Sequence, residues 1–122
     1  MNNPSLGIDI DGCIDECTSF FQILSKFWVG KVYIITYRRD RDKAVNDLQK
    51  FGIRYDELIL VKSFDEKAEV IKRENISVYF DDQPEMLKNV SEHTNVMLVR
   101  NPGNFDFDDK LWMMSDKTGK LI

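Results

Sequence analysis

The stretch Leu6-Gly7-Ile8-Asp9-Ile10-Asp11-Gly12 decides how this chain is read. It is a short apolar run that ends in two carboxylates and a glycine. A run of this length and composition is a strand, and the glycine marks the turn that closes it. Side chains alternate along a strand, so Asp9 and Asp11 are expected on one side. Four more runs share its character: Val32–Thr36, Glu57–Val61, Ser77–Phe80 and Asn95–Val99. All are near-continuously apolar, which predicts strands buried on both faces of a mostly parallel sheet.

The intervals between them carry helical spacing. In Thr18–Val29 the apolar set Phe20, Phe21, Ile23, Leu24, Phe27 and Trp28 makes one broad face, and Gly30 follows as a stop. In Arg41–Phe51 the set is Ala44, Val45, Leu48 and Phe51, closed by Gly52. Ser63 and Glu66 form a capping box that opens a helix to about Glu74, burying Ala68, Val70 and Ile71. Pro84 suits a first helical position, with Leu87 and Val90 continuing from it. Strand and helix alternate throughout. The predicted fold class is therefore α/β: a three-layer, Rossmann-like sandwich around a central five-stranded sheet. Residues 1–122 form a single domain, with a tail from 104 to 122 whose structure the sequence does not assign.

Composition narrows the function classes. The chain is 43% hydrophobic and 31% charged, with a net charge of −4, so it has a core and no global attraction for nucleic acid. The apolar runs are too short to span a membrane, and MNNPSLGIDID lacks the basic and apolar regions of a signal peptide. These readings place the protein in the cytoplasm. Cys13 and Cys17 are then free thiols, small half-buried residues rather than a disulfide framework.

The unusual polar residues sit at strand ends. They are Asp9 and Asp11 after the first strand, Thr36, Tyr37 and Arg38 after the second, and Asp81 and Asp82 after the fourth. Lys67 lies in the first turn of the helix that follows the third. Ligands of open parallel sheets bind at the carboxyl ends of strands, so these groups converge if the first, second and fourth strands are neighbours. Alternation predicts that only one of Asp81 and Asp82 reaches the centre. Two carboxylates ~4 Å apart repel by roughly 4 kcal/mol at an effective dielectric near 20. Such a cluster calls for cations: Lys67 supplies one charge, and an oxygen-only donor set favours a hard divalent ion, Mg²⁺ above all.

With these motifs in this order, the chain resembles the haloacid dehalogenase (HAD) superfamily of phosphotransferases. Asp9-Ile10-Asp11-Gly12 is similar to its first motif, Thr36 to its second, Lys67 to its third and Asp81-Asp82 to its fourth. The resemblance implies Asp9 as the nucleophile that forms an aspartyl-phosphate, and Asp11 as the acid and base. It implies Mg²⁺ held by Asp9, by the Asp11 backbone carbonyl and by Asp82, with Asp81 in support. Thr36 would hold a phosphoryl oxygen and Lys67 would neutralise charge. The chain departs from the common pattern at Cys13, where a Thr is usual, so the loop after Asp11 is expected to be less firmly tied. The intervals Gly12–Val32 and Val61–Lys67 are too short for a cap domain.

The expected activity is Mg²⁺-dependent hydrolysis of small phosphomonoesters, nucleotides among them. Arg38, with Tyr37 beside it, is the candidate for a second anionic group of the substrate. Asp15 is a candidate to orient the loop after Asp11. Phe105, Phe107 and Trp112 could stack on a base, pack across a homodimer or cover the chain's own core. His93 reads as an exposed bystander. Two alternatives remain open at this level: a non-catalytic module that binds metal or phosphate, and a phospho-receiver domain. The second has little support, because the third strand ends Leu60-Val61-Lys62 with no aspartate to phosphorylate.

Overall fold

A computed structural model describes residues 3–113. Five parallel strands form the central sheet: β1 (Ser5–Ile8), β2 (Val32–Tyr37), β3 (Glu57–Val61), β4 (Ile76–Asp81) and β5 (Asn95–Leu98). Their order is β3-β2-β1-β4-β5, and every pairing is parallel. The helices are α1 (Thr18–Phe27), α2 (Arg41–Phe51), α3 (Phe64–Arg73) and the single turn α4 (Pro84–Leu87). The expected α/β three-layer sandwich is present. The intervals Gly12–Val32 and Val61–Lys67 carry no cap domain.

The alternation of strand side chains builds two cores. Leu6 and Ile8 of β1, Val32 and Ile34 of β2 and Leu58 of β3 meet Phe21 of α1 and Ala44 and Leu48 of α2 on one face. Tyr33 and Ile35 of β2, Val61 of β3 and Tyr79 of β4 meet Val70 and Ile71 of α3 and Met86 of α4 on the other. Gly7 is required between these layers. A Cβ there would lie 2.8 Å from the Tyr79 ring, so the missing side chain lets that ring close against β1.

Local signals set the helix ends as expected for α2 and α3. Asp40 caps α2 through Lys43 N–H, and Gly52 ends it at φ +69°. Ser63 accepts from Glu66 N–H at 3.1 Å, while the Glu66 carboxylate accepts from the backbone of Lys62.

Five expectations need correction. α1 stops at Phe27, because Trp28 turns extended and its indole N–H donates to the Pro4 carbonyl at 2.8 Å. Gly30 does not cap that helix; it sits where the same carbonyl leaves no room for a side chain. The broad apolar face of α1 is only partly covered, with Phe21 buried and Phe20, Ile23 and Phe27 exposed, since six apolar residues spread wider than the stripe one sheet can bury. β5 is an edge strand, exposed along most of its length, rather than a strand buried on both faces. α4 ends at Leu87, so Val90 does not continue it.

The unassigned tail contains a hairpin, β6 (Phe105–Asp106) paired antiparallel with β7 (Leu111–Trp112). Phe105 is buried, and its ring meets Phe107 and Trp112 edge-on at 5.0 and 5.1 Å. Met114 and the rest of the tail lie outside the described residues. No described helix is long and apolar enough to cross a membrane.

Candidate functional site

In the observed order β1 lies between β2 and β4, so the motif-bearing strands are neighbours, as the convergence of their ends requires. The seam between β1 and β4 is where the strand order reverses, the place at which such sheets bind ligands. Asp9 leaves β1 there, with its N–H donating to the Phe80 carbonyl of β4 at 3.1 Å. This bond sets Asp9 against Asp81 and Asp82. One carboxylate oxygen from each of the three lies within 4.8 Å of the others, and all three residues are buried.

Lys67 reaches this group from the first turn of α3. Its ammonium lies 2.7 Å from Asp81 Oδ2 and 3.2 Å from Asp9 Oδ2, with the side chain 1% exposed. Burial works against the charged ammonium, but Asp81 and Asp9 outweigh it and hold Lys67 above the usual lysine value. One ammonium does not balance three carboxylates. Burial, above all, raises Asp9 well above the usual carboxylate range, with Asp81, Asp82 and Asp11 adding to the rise and Lys67 opposing it. Asp82 is pushed up to about 7, by burial first and then by Asp81. Burial first, and then the neighbouring carboxylates, favour the protonated forms of Asp9 and Asp82.

The two neighbouring aspartates do different work. Asp81 is saturated: Oδ2 accepts from Lys67 and from the Tyr79 hydroxyl at 2.6 Å, and Oδ1 accepts from the N–H groups of Asp82 and Gln83. Among the described residues, Asp82 Oδ1 is buried with no hydrogen-bond partner, and Oδ2 accepts only a long 3.4 Å contact from Asn101. A free, buried carboxylate oxygen is what a cation takes up. The expectation that only one of the pair reaches the centre is corrected, because both contribute an oxygen. Asp81 is the last residue of β4, and Asp82 beyond it is released from strand alternation.

The residues fit a hard divalent ion. The donors are carboxylate oxygens, one from each residue lies within 4.8 Å of the other two, and Asp82 has a lone pair free. Thr36, at the carboxyl end of β2, supplies another buried oxygen, its hydroxyl, with no partner among the described residues. It stands one strand away from Asp9, at the same end of the sheet.

Asp11 lies elsewhere. β1 ends at Ile8, so strand alternation does not extend to Asp9 and Asp11, and the expectation that they share one side is corrected. A wide turn follows over Ile10–Ile14, with Asp11 extended and Gly12 at φ +83°. The Asp11 carboxylate accepts both prongs of the Arg38 guanidinium, at 2.9 and 2.7 Å. Arg38 also donates to Asp47 of α2 at 2.7 Å and is almost wholly buried. Burial disfavours its charge, but the hydrogen bonds to Asp11 and Asp47 more than compensate and hold it above the usual arginine value. The candidate second-anion group is thus engaged by carboxylates of its own chain. Tyr37 packs edge-on against Phe64 at 5.5 Å.

The turn after Asp11 is well tied despite Cys13. Gly12 N–H donates to Asp15 Oδ1 at 2.8 Å, one of the two roles open to Asp15 from the sequence, and the Gly12 carbonyl accepts from Asn101 at 2.9 Å. Cys13 is fully buried in the core, and burial raises its thiol well above the usual value. His93 is exposed.

Three supporting residues were not singled out from the sequence. Tyr79 was legible in principle, since it stands two residues before Asp81 on the same strand. Asn101 and Asn104 had only the signal of a turn, Asn-Pro-Gly-Asn, which does not reveal that both asparagines are buried. No family model, curated protein or solved structure matches the chain.

Proposed function

We propose that this protein is a HAD-type phosphatase that hydrolyses small phosphomonoesters, nucleotides among the candidates, with Mg²⁺ held by Asp9 and Asp82 and with Asp81 in support. The observation that carries this reading is the buried carboxylate trio with a single ammonium beside it and an unpartnered oxygen on Asp82. A purely structural charge cluster has no reason to leave that oxygen bare. In the proposed division of labour, Asp9 attacks phosphorus, and Asp82 holds the ion with Asp81 fixed behind it. The ion supplies charge neutralisation for the approaching phosphate dianion. Lys67 supplies a permanent positive charge next to the nucleophile, and the Thr36 hydroxyl is free to donate to a phosphoryl oxygen.

Asp11 is the proposed acid and base. Its carboxylate is held by Arg38, so substrate binding has to draw it toward the leaving oxygen. Retention at Arg38 instead favours the second reading, a module that binds metal or phosphate without turnover. The receiver alternative loses ground on topology: receiver-type sheets run 2-1-3-4-5, whereas this one runs 3-2-1-4-5.

The decisive assay is phosphate release from a generic aryl phosphate in the presence and absence of Mg²⁺. Turnover requires the ion and falls by at least about 10⁴-fold in Asp9→Asn, the scale on which nucleophile loss acts. Mg²⁺ binding without turnover on a broad phosphoester panel establishes the non-catalytic reading instead.

A further inference from the structure

A Pro-Gly turn after the last strand of a sheet is ordinarily a solvent feature, but Asn101-Pro102-Gly103-Asn104 turns its two asparagines inward. Asn101 is 5% exposed and Asn104 1%. The turn is braced from within: Asn101 N–H donates to Asn104 Oδ1 at 2.8 Å, and Gly103 N–H donates to Asn101 Oδ1 at 2.7 Å. That leaves both amide NH₂ groups pointing outward from the turn into the protein. Asn101 Nδ2 donates to the Gly12 carbonyl at 2.9 Å and lies 3.4 Å from Asp82 Oδ2. Asn104 Nδ2 donates at 2.7 Å to the carbonyls of both Asp82 and Val99.

These contacts join three pieces of chain just beyond the last rungs of the sheet: the turn after Asp9, the exit of β4 and the exit of β5. Gly12 and Asp82 touch directly, since a Cβ on Gly12 would fall 1.9 Å from Asp82 Oδ2. Asn101 closes that contact into a triangle. Its side chain engages Oδ2 of Asp82, and it is Oδ1 that remains without a partner.

We propose that the Asn101–Asn104 turn is a positioning clamp for the acid centre. Asn101 holds the turn after Asp9 against Asp82 and reserves Asp82 Oδ1 for the ion, while Asn104 fixes the backbone from which Asp82 projects. The ion's part in this rests on the phosphatase reading; the joining of the two segments does not. Residues that orient metal ligands in this way typically matter by 10–100-fold in metal affinity.

The test uses the full chain with Asn101→Ala, and Asn101→Ser as the milder variant should the first not fold. Hydrogen exchange is followed in peptides covering Asp11–Cys17 and Asp81–Gln83, without metal, beside a control peptide in β2. Mg²⁺ affinity is measured by calorimetry, and melting is recorded in a chelator. The clamp predicts that both segments lose protection together while β2 does not. It also predicts a Mg²⁺ affinity about 10–100-fold weaker in a variant that still melts cooperatively without metal, at a lowered temperature. A folded variant in which either segment keeps native exchange, or which binds Mg²⁺ as the native chain does, overturns the proposal. A native chain that binds no Mg²⁺ defeats the phosphatase reading instead, and the exchange result alone then decides the clamp.

Discussion

Asp9 and Asp11 stand two residues apart, and their carboxylates end in opposite electrical surroundings. Asp9 joins Asp81 and Asp82 in a buried group where three acids face one ammonium. Asp11 joins Arg38, Asp47 and Lys43 in a group where two acids face two bases, with Asp11 and Asp47 each partly open to water. The second group is balanced and needs nothing more. The first is short of positive charge and keeps an oxygen unpartnered. A charge deficit in a buried site is a demand for a ligand, whereas a balanced network is a brace. The difference separates a candidate reactive centre from its support, although both begin in one short motif.

The sharpest way to break this contrast is to remove the single cation of the acid centre. Lys67→Met leaves Asp81 and Asp9 buried without their partner. Losing one member of a buried pair costs about 3–5 kcal/mol, so chemical denaturation should show the chain strongly destabilised or unfolded without metal. A variant as stable as the native chain would mean that the centre is not electrostatically strained.

A pH series asks the same question with smaller effect. The folded-state value of Asp82, about 7, lies above that of an unfolded carboxylate. Such a group contributes stability that is complete at low pH and is lost as pH rises through 7. Asp9 is raised as well and acts in the same sense. The metal-free melting temperature should therefore fall between pH 6 and 8, apart from any acid unfolding lower down. Mg²⁺ binds the ionised form, so the rise in melting temperature on adding it should be greater at pH 8 than at pH 6. A flat profile with no ion effect would remove the deficit on which the contrast rests.

The smallest effect is expected at the brace. In Arg38→Met the carboxylates of Asp11 and Asp47 lose their guanidinium but keep access to water, so the cost is about 1–2 kcal/mol. Mg²⁺ affinity by calorimetry should stay near native, because Arg38 touches no member of the acid trio. A loss of affinity as large as that of an acid-centre variant would show that the two groups act as one.

The layered α/β fold was legible because its signals are local. Apolar runs, helical spacing, the cap at Ser63 and the stop at Gly52 each act within a few residues, and the alternation of elements leaves few architectures. Asp9, Lys67, Asp81 and Asp82 were legible as a group for a related reason, since carboxylates at strand ends must gather where parallel strands finish. The exposed part of α1 was not legible. Helical spacing says which residues share a face, not whether another layer covers it. Nor was the inward turn of Asn101 and Asn104, because an Asn-Pro-Gly-Asn turn reads alike at a surface and beneath one.

Residue order alone therefore settled the five strands of the sheet, the helices between them and the placing of Asp9 and the Asp81-Asp82 pair at one end of it, because those follow from periodicity and from where parallel strands finish. The partner of each carboxylate was settled only by folding. Lys67 goes to Asp9 and Asp81, Arg38 goes to Asp11, and Asn101 spans from Gly12 to Asp82. Those pairings depend on ångström distances between segments up to 89 residues apart, and no spacing along a chain encodes them.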